Sequence, residues 1–219
     1  MKKFCLLIIC LLLLTISTSC NKSKFDRTNT DNIYAQIILN GNRKINLKLY
    51  YDKAPITVNN FIDLVEEGYY KNTIFHRVIE DFMIQGGGYK KVFGNVKEKG
   101  NPKTIKGEFA SNGWKKNNIK HVAGVISMAR ATDKNSASSQ FFICSATSEH
   151  LDGEYAAFGK TSSAQHRRMQ TAKTQDMEYH TCIIDYCPCS FRNMGRRKNR
   201  TADHRYQVGY GAGCRRQHA

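Results

Sequence analysis

The central part of this 219-residue chain lacks the features that mark several common protein classes. Between the leader and residue 160 the only cysteine is Cys144, so no disulfide framework is predicted there. The one long apolar run, Phe4–Leu14, is too short to span a bilayer comfortably as a helix. The glycine-rich stretch GGGYKKVFG lacks the Gly-Lys-Ser/Thr ending of a phosphate-binding loop, and no helix is predicted after it.

Basic residues are abundant, and they change from mostly lysine to mostly arginine along the chain. The formal net charge is +16, which on its own favours a nucleic acid or an anionic membrane as partner. Up to Lys160 the basic residues are 19 Lys and 4 Arg, whereas from Thr161 onward they are 2 Lys and 9 Arg. The segment after Lys160 holds 11 basic and 4 acidic residues, so it carries +7 of the total. The two segments therefore differ in origin or in role.

Residues 1–20 form a signal peptide: a basic start, an apolar run and then small polar residues. Because the small-residue stretch ends at Cys20 and a polar segment follows, it resembles a bacterial lipoprotein signal, with Cys20 as the site of lipid attachment. Residues 21–32 are then a flexible linker. We expect an exported protein of the bacterial cell envelope, lipid-anchored and facing the periplasm. The alternative is ordinary cleavage between Ser19 and Cys20, which gives a soluble exported protein.

Short strands and one amphipathic helix are predicted in the body, residues 33–160. Apolar residues alternate on either side of Asn40–Asn42, a pattern typical of a hairpin because Asn-Gly supplies positive φ angles. In APITVNNFIDLVEEGYY, Pro55 suits the first helical position and Gly68 a stop. One helical face carries the apolar residues Val58, Phe61, Ile62 and Val65. The pattern as a whole favours a mainly β protein with a closed antiparallel sheet.

Four motifs then occur in order: FHRVIEDFMIQGG, GVISMAR, NSASSQFFI and HLDGEYAAFG. Together they resemble the cyclophilin type of peptidyl-prolyl cis-trans isomerase, over residues 33–160. The resemblance implies a closed eight-stranded antiparallel β-barrel with capping helices. It implies isomerase activity on X–Pro bonds, with proline-containing polypeptides as substrates and no cofactor or metal. An exported member would assist the folding of extracytoplasmic proteins.

Carried over residue by residue, the resemblance makes Arg77 the catalytic residue. The implied substrate-binding residues are Phe82, Met83, Gln85, Ala129, Arg130, Gln140, Phe142, His150, Leu151 and Tyr155. Phe82, Met83, Phe142 and Leu151 would form the proline pocket, and Arg130 would contribute its backbone.

Three of these positions depart from the commonest form of the family. His150 stands where many members have tryptophan, so cyclosporin binding is expected to be weak; the sole tryptophan, Trp114, lies in a polar loop. Tyr155 replaces the usual histidine, and Arg130 the usual asparagine. A tyrosine ring can still wall a pocket, and a backbone contact tolerates the change to arginine.

The residue types suit the chemistry of X–Pro rotation. At the twisted transition state amide resonance is lost and the prolyl nitrogen regains a lone pair, so a fixed cationic donor is worth more there than in the ground state. Arg77 stays charged under working conditions. Two alternatives to an active isomerase stay open: a module that binds proline-containing peptides without catalysis, and an inactive truncated product.

Residues 161–219 do not resemble a cyclophilin C-terminus. The segment has no leucine, and its only aliphatic β-branched residues are Ile183, Ile184 and Val208. We expect an aberrant, disordered tail, produced by a frameshift near Lys160, and a barrel left incomplete with an open edge and lowered stability.

Two other roles for the tail are weaker. Zinc binding by Cys182, Cys187, Cys189 and His180 lacks paired Cys-x-x-Cys spacing. An arginine-rich arm that binds nucleic acid conflicts with export, so no nucleic-acid partner is predicted. The protein is expected to be a monomer.

Overall fold

The computed structural model describes residues 30–31, 33–40, 43–100, 102–162 and 181–187. One α-helix, α1, covers Pro55–Glu66. Two short 3-10 helices cover Ala110–Asn112 and Glu149–Leu151. The strands are β1 Ile33–Leu39, β2 Arg43–Leu49, β3 Thr73–Ile74, β4 Arg77–Ile79, β5 Met83–Gly86, β6 Tyr89–Val92, β7 Asn95–Glu98, β8 Val125–Met128, β9 Phe141–Cys144, β10 Ala157–Thr161 and β11 Thr181–Cys187.

The predicted first hairpin is confirmed. Strands β1 and β2 pair antiparallel from Ile33 opposite Leu49 to Leu39 opposite Arg43. The alternating apolar residues of both strands point into the core, and Ile37 and Leu47 are both 0% exposed. Residues 41–42 of the predicted turn lie outside the described residues. Alternation thus sets which face of this hairpin is buried.

The predicted helix is also confirmed, and it begins at Pro55. Its buried face includes the four apolar residues that the spacing identifies. The N-cap residue of the helix, Ala54, forms no side-chain capping hydrogen bond, so the cap comes from a distant part of the chain. The buried carboxylate of Glu108 accepts hydrogen bonds from Ile56 N, Thr57 N and Thr57 Oγ1 at 3.0, 2.7 and 2.7 Å. A negative charge is well placed at the positive end of the helix dipole.

All eleven strands belong to one antiparallel sheet in the order β4-β5-β9-β8-β10-β2-β1-β11-β3-β6-β7. Only Phe75 and His76 separate β3 from β4, and only Gly87 and Gly88 separate β5 from β6. The two ends of the sheet therefore lie on one stretch of chain, and the sheet curls round on itself. His76 N donates to Gln85 O at 3.0 Å across the break.

The mainly β, cyclophilin-like fold class is thereby confirmed. When β3–β4 and β5–β6 are each counted as one interrupted strand, and β7 as an excursion, eight strands remain among the described residues. Closure is incomplete because the ladder breaks at these two points. Gly87 allows the second break: its φ is +87°, and a Cβ there would lie 2.7 Å from Ser139 O. The part of the chain that is described holds one α-helix, which caps the barrel core.

The predicted open edge does not lie beside β1, because Thr181–Cys187 of the tail occupies that position. Strand β11 pairs antiparallel with β1, from Tyr34 opposite Cys187 to Leu39 opposite Cys182, and its start pairs with β3. Ile184 lies opposite Ile37 and is 4% exposed within the core. A short run with two isoleucines suffices because the neighbouring strands supply the hydrogen bonds and the core supplies the apolar contact. The other residues of the predicted disordered tail, 163–180 and 188–219, lie outside the described residues.

The predicted signal peptide, the lipid-attachment residue Cys20 and most of the linker also lie outside the described residues. Within the described ranges, no helix has the length and apolar character needed to cross a membrane.

Candidate functional site

The site lies on the outer face of the curled sheet, across β4, β5, β9 and β8. Because neighbouring residues in a strand point to opposite faces, two rows of side chains cross these strands. The inner row packs in the barrel core: Val78, Ile84, Ile143 and Ile126. The adjacent outer row is Arg77, Gln85, Phe142 and Ser127. Strand register thus places a cation, an amide and an aromatic ring side by side.

Three polar side chains of the site form a hydrogen-bonded chain. Arg77 Nη1 donates to Gln85 Oε1 at 3.2 Å, and Gln85 Nε2 donates to Gln140 Oε1 at 3.0 Å. Arg77 is exposed, so its remaining N–H donors are accessible to solvent. Gly88 leaves room for Gln140, since a Cβ at Gly88 would lie 2.5 Å from Gln140 Cγ. The triple glycine therefore serves the site as well as the turn.

A second apolar cluster, separate from the barrel core, lies beside these three hydrogen-bonded side chains. Its buried members are Met83, Phe142, Cys144 and Leu151, and its partly buried members are Ile79, Phe82, Ala129 and Tyr155. Cys144 is 0% exposed, and burial raises the pKa of its thiol to about 12, with the negative charge of Asp152 adding to the rise. The thiol is therefore an inert packing group.

The ring of Phe142 is held from two sides. Tyr155 meets it edge-on with centroids 5.7 Å apart, and His121 stacks on it at 6.1 Å. The backbone beside it is also fixed, because Ala129 N donates to Gln140 O at 2.9 Å. An aromatic wall with so little freedom suits a small rigid ring as its ligand.

A family model described as cyclophilin-type peptidyl-prolyl cis-trans isomerase matches residues 34–183. The chain belongs to the cyclophilin family. It is 46% identical over 121 residues to peptidyl-prolyl cis-trans isomerase A of Dickeya dadantii, a match that covers 53% of this chain and 59% of that relative. The chain thus spans less than two thirds of that relative's length.

Two solved structures share the fold. A cyclophilin-type isomerase of Cryptosporidium parvum is 27% identical, with a TM-score of 0.58 over 73% of this chain and 100% of that one. A structure of the same protein in the presence of the dipeptide Ala-Pro is 31% identical, with a TM-score of 0.51 over 64% of this chain and 86% of that one.

The structure brings the eleven predicted catalytic and substrate-binding residues of this cyclophilin into one region. The three departures from the commonest family pattern each make a contact there. Tyr155 lies under the Arg130 guanidinium, whose carbon is 4.7 Å from the ring centroid, so two departures form one cation–π pair. Arg130 Nε also donates to Glu154 O at 3.2 Å. The third departure, His150, stacks on Phe82 with centroids 5.5 Å apart.

Sequence reasoning missed a buried network behind Phe142. His121 is 1% exposed, its Nδ1 lies 3.1 Å from Asp152 Oδ1, and its Nε2 lies 3.1 Å from Ser127 Oγ. Burial lowers the pKa of His121, although the hydrogen bond and charge of Asp152 oppose that shift. Burial raises the pKa of Asp152, but hydrogen bonds from the His121 backbone and ring and from Lys120 outweigh it, and the net pKa is lowered.

These shifts define the state of the network at neutral pH. A neutral His121 donates through Nδ1 to the Asp152 carboxylate and accepts at Nε2 from the Ser127 hydroxyl. Ser127 lies opposite Phe142 in the strand register, and His121 stacks on the Phe142 ring. The network therefore positions the aromatic wall. The available sequence signal is the position of His121 just before GVISMAR and of Asp152 directly after Leu151.

His76 of the first motif contacts Tyr89 and belongs to neither the hydrogen-bonded side chains nor the apolar cluster of the site. Its ring packs against Tyr89 with centroids 4.3 Å apart. Burial lowers the pKa of His76, a hydrogen bond with the Ile74 backbone opposes that shift, and the nearby charge of Arg77 adds to it. This agrees with a structural role.

No group of three or more His, Cys, Asp or Glu side chains with metal-site geometry occurs among the residues that are described. The four tail residues considered for zinc lie outside what the structure describes at side-chain level.

Proposed function

We propose that this cyclophilin is an active peptidyl-prolyl cis-trans isomerase that accelerates rotation about X–Pro bonds. The observation that carries the proposal is the outer row, in which Arg77 and Gln85 lie directly beside Phe142 and the apolar cluster. The names of the relatives, and the related structure determined in the presence of the dipeptide Ala-Pro, support it.

Each part of the site has a role in the proposed mechanism. The apolar cluster, through Phe82, Met83, Phe142 and Leu151, holds the pyrrolidine ring and excludes water. Arg77 aims a cationic N–H at the prolyl nitrogen, whose lone pair is exposed only at the twisted transition state.

Other groups hold the chain that flanks the rotating bond. Gln85, Gln140 and the backbone at Ala129 and Arg130 fix one side, while the other side turns. Tyr155 and His150 complete the walls. No covalent bond breaks, so the reaction needs neither a nucleophile nor a cofactor.

A protease-coupled proline-isomerisation assay on the full chain tests the proposal. We expect acceleration that a proline-containing peptide inhibits competitively. If the chain binds such a peptide and gives no acceleration, the site is a binding module. If it does neither and shows no cooperative melt, the chain is an inactive product.

We further propose that the protein is exported to the bacterial cell envelope, faces the periplasm and is anchored through a lipid on Cys20. The support is the sequence of residues 1–20. Metabolic labelling with a fatty acid tests it: label should enter the wild-type protein and be absent from a Cys20→Ala variant. Label in both variants would place the attachment elsewhere.

Weak cyclosporin binding, a monomeric state and proline-containing polypeptides as the only macromolecular partners of the site complete the proposal. His150 in place of tryptophan supports the first of these. Titration of cyclosporin into wild type and a His150→Trp variant tests it, and tighter binding by the variant is expected.

A further inference from the structure

The hairpin formed by β6 and β7, residues 89–98, has an unusual tip. Phe93 and Gly94 connect the strands, with φ angles of +48° and +83°. Two positive φ angles in a two-residue loop correspond to a type I′ turn, which favours Asn, Asp or Gly at its first position. Phenylalanine stands there instead, and it is 99% exposed. An aromatic residue in a disfavoured conformation, with its ring in water, does not serve the folding of this turn.

The same part of the chain concentrates positive charge. Residues 89–106 contain six lysines and one acidic residue, Glu98. The rest of residues 33–160 contains 12 basic and 11 acidic residues and is nearly balanced. Lys90 and Lys97 lie directly opposite each other across the hairpin. Like charges in that position repel, so this arrangement also does not serve folding.

Two ordinary explanations leave part of the hairpin unexplained. Lysine on an edge strand such as β7 prevents pairing with other strands, and this accounts for Lys97. It does not account for an exposed ring at the tip. If packing stabilised Phe93, its side chain would be buried. Instead Phe93 is 99% exposed, and Val96 in the same hairpin is 42% exposed.

The tip points to the same end of the sheet as the start of β1. Strand β6 is antiparallel to β3, β3 to β11 and β11 to β1. Strand β6 therefore runs opposite to β1, and its last residue lies towards the end where Ile33 begins. A surface that contacted the tip would face the N-terminal side of the domain.

We propose that this hairpin docks on an anionic lipid bilayer. Phe93 inserts at the level of the headgroups, and Lys90 and Lys97 contact lipid phosphates. A single protruding ring flanked by cations fits a soft apolar interface with negative charge, because aromatic side chains partition into the headgroup region and lysines add electrostatic attraction. The proposal is independent of the lipid on Cys20 and of isomerase activity.

The test places a reporter at the tip of the full chain. A Phe93→Trp variant is mixed with vesicles that carry brominated acyl chains, either zwitterionic or containing phosphatidylglycerol. Trp114 gives a constant background, because its indole donates to Lys53 O at 2.8 Å, and the spectrum of the wild-type chain is subtracted. Since the leader is present in every variant, only the local quenching of residue 93 reports on the hairpin.

The role of the hairpin lysines is tested with two matched double variants. Lys90→Gln with Lys97→Gln, made in the Phe93→Trp chain, should reduce insertion at low salt. Each lysine near an anionic surface contributes roughly fivefold, so about 25-fold is expected for two. Lys115→Gln with Lys116→Gln removes the same charge from another exposed site and should change insertion little.

A third variant separates insertion from folding. Phe93→Asn suits the type I′ turn, so it should melt at the same or a higher temperature than wild type, while vesicles no longer protect the hairpin from proteolysis.

Four outcomes decide the proposal. Quenching of residue 93 by anionic vesicles, weakened by salt and by the Lys90/Lys97 change alone, supports it. Absence of quenching on anionic vesicles overturns it. Equal effects of the two lysine pairs also overturn it, because the charge would then act without any role for the hairpin. An unquenched tip together with a raised KM of Phe93→Asn for an unfolded protein substrate would assign the hairpin to a polypeptide partner instead.

Discussion

Replacing Arg77 by alanine is expected to lower kcat/KM for an X–Pro peptide about 100-fold with little change in KM or stability. Arg77 is exposed and packs in neither apolar cluster, so its removal leaves no cavity. Its partner Gln85 keeps a second hydrogen bond, to Gln140. The loss should therefore fall on the transition state, where the prolyl nitrogen needs a donor.

The magnitude follows from the geometry. Loss of one well-placed donor to developing charge typically costs 10²–10³ in rate, or about 2.7–4 kcal/mol. The lower end applies because the guanidinium is solvent-exposed, and water weakens the electrostatic interaction. Arg77→Lys keeps the charge but loses the planar fork that one Gln85 hydrogen bond orients, so we expect an intermediate loss of about tenfold.

The assay is protease-coupled isomerisation with kcat and KM measured separately, alongside a circular dichroism melt. Arg43→Ala, an exposed arginine on β2 away from the site, is the matched control and should retain wild-type kinetics. An Arg77→Ala enzyme within threefold of wild type would refute the assigned role of the cation. A raised KM at unchanged kcat would show that Arg77 binds the ground state instead.

Three further predictions follow from particular contacts. Gly88→Ala should displace Gln140, whose Cγ would lie 2.5 Å from the new Cβ, and lower kcat/KM about tenfold in the same assay with a nearly unchanged melt; retention of full activity would contradict this. Glu108→Gln should lower the free energy of unfolding by about 2–3 kcal/mol in urea titrations, because an amide nitrogen would face buried N–H donors at the start of α1. Since the folded-state pKa of His121 is lowered below its ordinary 6.5, its contribution is complete above pH 6.5 and is lost as pH falls below that value towards the folded pKa. A His121→Gln variant should show a smaller decline in stability between pH 6.5 and 5, and an equal decline would assign the effect to other groups such as His76.

Local patterns were sufficient where a residue's role depends on near neighbours. Alternation in β1 and β2 identified a hairpin with its buried face, and helical spacing identified α1 together with its first residue. The site residues were predicted through resemblance of whole motifs, and the structure places Arg77, Gln85, Gln140 and Phe142 close together across neighbouring strands.

Contacts between distant segments were not predictable from these patterns. The cap of α1 comes from Glu108, 51 residues beyond Thr57. The network of His121, Ser127 and Asp152 was missed because its residues come from separate motifs, and no local pattern shows that their side chains meet. The contact of Arg130 with Tyr155 also turned two separate departures into one interaction.

The tail shows the same division most clearly. By composition, residues 161–219 have too little aliphatic content to predict a strand, yet Thr181–Cys187 pairs with β1 and β3. A strand between two partners gains its hydrogen bonds from them, and Ile184 gains its apolar contacts from a core built elsewhere. The sequence by itself determined the first hairpin, the helix and the chemical types at the site, because these depend on residues close together in the chain. The tertiary structure alone decided the cap, the support of Phe142 and the place of β11, because each depends on partners that only the folded chain brings within reach.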